Sequence, residues 1–181
     1  AVVAADKLDF ATAVMLVRRR GQAMQSAVPA GVGAMAAVMN APIEKLQDYC
    51  KKISRDQHVV EIANYNSPQQ LVVAGHAQAV NSLCEMLEKD GVRSVPLPVS
   101  APFHSSLMEL AREEMAPLIG DAIFNSNDNK LVANLDAKIV KEYGPNYLIE
   151  QINHPVLWLQ SMQAAEQYGC QKFVEVGPGK D

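Results

Sequence analysis

The chain has 181 residues, of which 49% are hydrophobic, 20% charged and only 6% aromatic, and its net charge is −4. That is the balance of a globular protein with a core of Ala, Val, Leu, Ile and Met. It excludes the basic stripe of a nucleic-acid binder, and no run of ~18 apolar residues is present to span a membrane. Cys50, Cys84 and Cys170 are far apart, an odd set without metal spacing. They read as free thiols in a reducing, cytoplasmic setting, with no metal site. The N-terminus lacks the basic start and apolar stretch of a signal peptide.

Taken in chain order, Leu8 to Gln25 has helical periodicity, with Phe10, Val14, Val17, Gly21 and Met24 on one arc and Asp9 placed to cap the start. Pro29-Ala30-Gly31 ends it. Gly31 to Met39 reads as a strand, Ala41 to Ile53 as a helix with Pro42 in its first turn, and His58 to Ala63 as a strand. Asn64-Tyr65-Asn66-Ser67-Pro68 is a turn cluster leading to a strand at Gln70 to Ala74. A helix from Ala77 to Asp90, stopped by Gly91, precedes a last strand from Arg93 to Val99. The two prolines of that strand predict an edge position. The order β-α-β-β-α-β is that of a split ferredoxin-like unit.

Beyond it, Ser105 to Ile119 reads as a helix with Leu107, Leu110, Ala111, Met115 and Leu118 as its apolar stripe. Leu131 to Leu135 is a short strand, 146–152 and 156–168 are helical, and Lys172 to Val176 is a strand entering the Gly177-Pro178-Gly179 turn. Two strands and several helices cannot close a core alone. They predict part of a larger α/β layer whose other strands are not in this sequence.

Few residues invite chemistry. His104 lies where a proline-rich strand exit meets a helix start, at the rim of a sheet, and its near-neutral pKa suits proton transfer. Among Arg18, Arg19 and Arg20, helical spacing turns Arg19 to water. Arg18 and Arg20 flank the apolar arc, where either could reach a cleft and clamp a carboxylate with two hydrogen bonds. Asn64 and Asn66 fit turn chemistry, and Gln151, Asn153 and His154 fit a helix end before Pro155. There is no GxxxxGK[ST], no GxGxxG after a strand and no GxSxG.

Together these segments resemble the bacterial malonyl-CoA:acyl carrier protein transacylases. The stretches that carry the resemblance are Arg18-Arg19-Arg20-Gly21-Gln22-Ala23-Met24-Gln25, the Asn64–Pro68 cluster, Val72-Val73-Ala74-Gly75-His76 and Glu175-Val176-Gly177-Pro178-Gly179-Lys180. The most specific runs VPLPVSAPFHSSLM, from Val95 to Met108. The resemblance implies a partial α/β-hydrolase-like acyltransferase domain at 1–30 and 101–181, with an inserted ferredoxin-like (βαββαβ) subdomain at 31–100. It implies ping-pong transfer of malonyl from CoA to the phosphopantetheine thiol of acyl carrier protein, with no further cofactor. His104 would be the general base, Arg20 the carboxylate clamp, Asn66 and Phe103 lining residues, and Gln151 the residue whose carbonyl orients His104. The family's nucleophilic serine belongs to a GHSLGE segment expected just upstream of Ala1, so this chain alone is expected to be inactive and to work with that segment as a partner. Lys51, Lys52 and Arg55 are candidates for docking the acidic carrier protein. Two other readings compete: an acyltransferase domain of a polyketide synthase, and a ferredoxin-like ligand-binding module.

Overall fold

The computed structural model describes residues 1–54, 58–99 and 101–177. Helix α1 (Phe10–Ser26) opens the fold, with the Asp9 carboxylate accepting a hydrogen bond from the Thr12 N–H at 3.0 Å. There follow β1 (Gly33–Met39), α2 (Ile43–Ile53), β2 (Val60–Ser67), β3 (Gln70–His76), α3 (Ala77–Lys89) and β4 (Ser94–Pro96). The sheet has the order β2-β3-β1-β4 and every pairing is antiparallel. β4 is an edge strand of three residues, shorter than expected because its prolines cannot donate to a ladder.

Alternation along the strands gives the sheet two apolar faces. Ala36, Val38, Ile62, Leu71 and Val73 pack on Leu46 of α2 and on Val80, Leu83 and Leu87 of α3. Each fully buried leucine there contributes about 1.5–3 kcal/mol. On the opposite face Met35, Ala63, Val72 and Ala74 form a smaller cluster that meets Leu97 and Phe103.

The second part of the chain has a short 3-10 turn (Ser106–Met108), α4 (Glu109–Gly120), a two-stranded ribbon of β5 (Leu131–Ala133) and β6 (Lys138–Val140), α5 (Pro145–Glu150) and α6 (Trp158–Gln167). Leu16, Ala23 and Met24 of α1 pack against Ala111, Met115 and Ile119 of α4 and against Ile152. The two parts are tied by a parallel bridge between Asn64 and Val156: the Tyr65 N–H donates to the Val156 carbonyl at 2.8 Å and the Val156 N–H to the Ala63 carbonyl at 2.7 Å.

Several expectations need correction. Asn64 to Ser67 is not a turn but the end of β2, prolonged by irregularities at Ile62/Asn64 and Tyr65/Ser67, and the hairpin reverses at Pro68-Gln69. The arc of α1 drawn from Phe10 to Met24 is not its buried face: Met24 is buried, but Phe10 and Val17 are 73% and 70% exposed. Leu110 and Leu118 of α4 are exposed as well. Lys172 to Val176 forms no strand, and Phe173, Val174 and Val176 face solvent. A strand needs a neighbour to take its hydrogen bonds, and among the described residues none adjoins this segment. β6 was not anticipated from its sequence. Arg55, Pro178 and Gly179 lie outside the described residues.

Candidate active site

The site forms where the chain leaves the small sheet and enters α4. Pro102 seats directly on β1 at Gly33, where a Cβ would stand 2.3 Å from the proline Cδ, so only glycine permits this approach. The Ser105 hydroxyl donates to the Pro102 carbonyl at 2.7 Å, and the Ser106 N–H donates to Glu61 Oε2 of β2 at 2.7 Å. Between these anchors His104 takes a φ of 58°, a left-handed conformation that costs a non-glycine residue about 1–3 kcal/mol and is concentrated at functional positions.

Two backbone carbonyls meet the His104 ring. Its Nδ1 lies 3.3 Å from the Gln151 carbonyl oxygen and 3.2 Å from that of His154. Carbonyls only accept, so Nδ1 carries the proton and Nε2 is left as the acceptor. Burial, and after it the positive charge of Arg20, push the His104 pKa below the ordinary histidine value, against the two carbonyls that favour the charged form. The imidazole is therefore neutral near pH 7, as a proton acceptor must be.

Arg20, half-buried on α1, lines a cavity of about 500 Å³ together with His104, Phe103, Asn64, Asn66, Met35, Val72 and Leu97. Burial draws its pKa below the usual guanidinium range, although the group stays charged. Among the described residues none forms an ion pair with it. Of the two arginines that spacing left open, Arg18 is exposed and only Arg20 enters this cavity; Arg19 faces water. The structure thus brings Arg20, Asn66, Phe103 and His104 around one space, with Gln151 behind the imidazole. A second, larger cleft of about 800 Å³ meets it at Asn66 and runs past Val156, Trp158 and Phe173.

A half-buried cation and a neutral histidine on one apolar-walled cavity are suited to an anionic substrate that loses or gains a proton. The pattern of the acyl transferase domain matches residues 1–179. This chain belongs to the acyl transferase domain family. It is 39% identical to the malonyl CoA-acyl carrier protein transacylase of Staphylococcus aureus (strain MRSA252) over 182 residues, which is 99% of this chain and 59% of that protein. It superposes on the crystal structure of malonyl CoA-acyl carrier protein transacylase from Clostridium perfringens with a TM-score of 0.94 and 32% identity, covering 99% of this chain and 57% of that one. A malonyl-transacylase solved with its type II polyketide synthase acyl carrier protein matches at 0.93 and 34%, covering 99% and 59%. The chain therefore spans less than two thirds of the length of these relatives.

The candidate site has further members that sequence reasoning did not single out. Glu61 anchors the segment after His104, and Met35, Val72 and Leu97 wall the cavity. Asn134, just beyond β5, donates through Nδ2 to Gln151 Oε1, and its own Oδ1 accepts from the Leu157 N–H at 3.0 Å. Strand alternation carried the signal for Met35 and Val72, whose neighbours face the other side of the sheet. Nothing local marked Glu61 or Asn134, because both act on residues more than fifteen positions away.

Proposed function

We propose that this chain supplies the base and the carboxylate clamp of a malonyl-CoA:acyl carrier protein transacylase. The observation that carries this reading is the shared cavity of Arg20 and His104, in which the guanidinium has no acidic partner among the described residues. The malonyl carboxylate fills that role with paired, charge-assisted hydrogen bonds. His104 Nε2 takes the proton of a serine hydroxyl as its oxygen attacks the thioester carbonyl. The imidazolium returns that proton to the departing CoA sulfur, leaving malonyl on the serine. In the second half the phosphopantetheine thiol of acyl carrier protein gives its proton to His104 and attacks the ester, and the serine leaves reprotonated. No metal or further cofactor takes part.

The serine is not in this sequence, which holds no GxSxG. On this reading the remaining part of the acyltransferase domain, of α/β-hydrolase type, covers the exposed Phe10, Val14 and Val17 of α1 and gives the segment 172–176 a neighbouring strand. Two observations favour that occupant: relatives of the same fold are much longer than this chain, and an apolar helix face in water is an interface without its partner. The four-stranded unit at 31–100 is then an inserted ferredoxin-like subdomain that closes one side of the cleft. Phe103 beside the imidazole crowds an α-methyl branch and disfavours methylmalonyl. The exposed Lys51 and Lys52 at the end of α2 offer a basic patch for an acidic carrier protein, in the cytoplasm where both thioesters are free to diffuse.

The reading is tested by malonyl transfer from CoA to carrier protein with the serine-bearing polypeptide and its His104→Ala and Arg20→Ala variants. Loss of transfer in both supports it; an Arg20→Ala enzyme that handles malonyl normally refutes the clamp.

A further inference from the structure

The second carbonyl that meets His104 Nδ1 is held from a distance, through two side-chain amides. At one end stands the Leu157 N–H, a peptide donor that cannot accept; it donates to Asn134 Oδ1 at 3.0 Å. That bond turns Asn134 Nδ2 toward Gln151, where it donates to Oε1. With its oxygen so engaged, Gln151 must present Nε2 to the other side, and it donates to the carbonyls of His154 and Pro155, at 3.1 Å each. The His154 carbonyl is the same one that His104 Nδ1 meets at 3.2 Å. Each amide can be turned over in isolation, but only one combination avoids setting donor against donor or acceptor against acceptor.

We infer that Asn134 is a positioning residue of the transacylase: with the Gln151 side chain it carries the fixed direction of the Leu157 N–H bond as far as the His154 carbonyl, holds that acceptor against His104 Nδ1 and so favours the proton there. The direct bond to the Gln151 carbonyl orients the ring, and the relay keeps the second carbonyl in place. This gives the β5–β6 ribbon, which stands apart from the four-stranded sheet and the core clusters, a role: it carries Asn134 under the turn at 151–157. The functional meaning rests on His104 being the base, but the inference itself concerns the ring's tautomer and is read without turnover.

The test is ¹⁵N NMR of the His104 ring in the 181-residue chain, at a pH well above its titration. The wild type is expected to show protonated Nδ1 and bare Nε2. Asn134→Asp keeps an acceptor for the Leu157 N–H but offers Gln151 only oxygen. The Gln151 amide then turns over and sets Oε1 against the two carbonyls. The ratio of Nδ1–H to Nε2–H forms should fall about fivefold, the equivalent of one net hydrogen bond. Gln151→Glu, which leaves the Asn134–Leu157 bond in place, should shift it the same way and carries the test if the first variant does not fold. A merely structural Asn134 predicts no shift with Asp, because the Leu157 bond survives. An unchanged ratio in the folded variants, or a wild-type ring protonated on Nε2, overturns the inference. If His104→Ala leaves malonyl transfer intact in the serine-bearing enzyme, the functional reading fails while the tautomer result stands.

Discussion

His104 Nδ1 faces the Gln151 carbonyl at 3.3 Å, across 47 residues of sequence, and no carboxylate among the described residues pairs with it. Where many catalytic histidines are backed by an acid, this ring meets backbone dipoles, which fix the tautomer without adding a negative charge. Burial and Arg20 lower the ring's proton affinity, and they outweigh the two carbonyls that favour the imidazolium.

That sign predicts the pH behaviour. A histidine whose pKa is depressed in the folded state is neutral through the neutral range, and the acid limb of kcat/KM should fall below the ordinary histidine value of 6.5. Folding is linked in the same direction. The stability contributed by the neutral ring is present above the unfolded pKa and is lost as pH falls through the folded one. Arg20→Gln removes the nearby positive charge and should raise the His104 pKa. An NMR titration of the ring checks the direction, and a downward shift would contradict it.

Arg20→Ala should separate the substrates. A clamp lost from a half-buried site costs about 2–3 kcal/mol, or roughly 30- to 150-fold in kcat/KM for malonyl transfer. Acetyl transfer, which makes no use of the guanidinium, should change far less. Parallel assays with the two CoA thioesters on the serine-bearing enzyme measure the difference.

Gly33→Ala should act on His104 from the opposite side of the loop. Its Cβ would meet Pro102 at 2.3 Å, so the 101–105 segment must lift from β1. Overpacking of this kind costs about 1–3 kcal/mol of stability. Because the loop carries the imidazole, transfer should fall more than the loss of fold accounts for. Thermal melts beside kinetics at a temperature where the variant is folded tell the two apart.

The exposed arc of α1 gives a contrasting result. Replacing Phe10 and Val17 with serine removes no buried contact from this chain, so its own stability should change by only about 0.5 kcal/mol. In the longer enzyme the same pair should be strongly destabilising, as large core truncations are. Comparing melting temperatures of the two polypeptides makes the check.

The part of the fold that closes on itself was legible in the sequence. Residues 33–96 follow the expected order of strands and helices because their periodicities answer to partners within reach, as with Val80, Leu83 and Leu87 of α3. Most misreadings fall where the partner is distant in sequence or not among the described residues. Phe10, Val14 and Val17 have the spacing of a buried face and are exposed; 172–176 has strand composition and no neighbouring strand among the described residues. At the site, His104 and Arg20 could be marked as candidates from residue type and spacing. Choosing Arg20 over Arg18 took the resemblance; of the two, Arg20 is the one that lines the cavity with His104. Asn134 and Glu61 were invisible because their meaning depends on which carbonyl or N–H the fold brings to them.

The most direct test of the account is malonyl transfer to phosphopantetheinylated acyl carrier protein, measured for the 181-residue chain alone and for the same chain joined to its serine-bearing segment. No transfer above background is expected from the first, and in the second His104→Ala should abolish it. Turnover by the isolated chain, or a joined enzyme indifferent to the loss of His104, would contradict it.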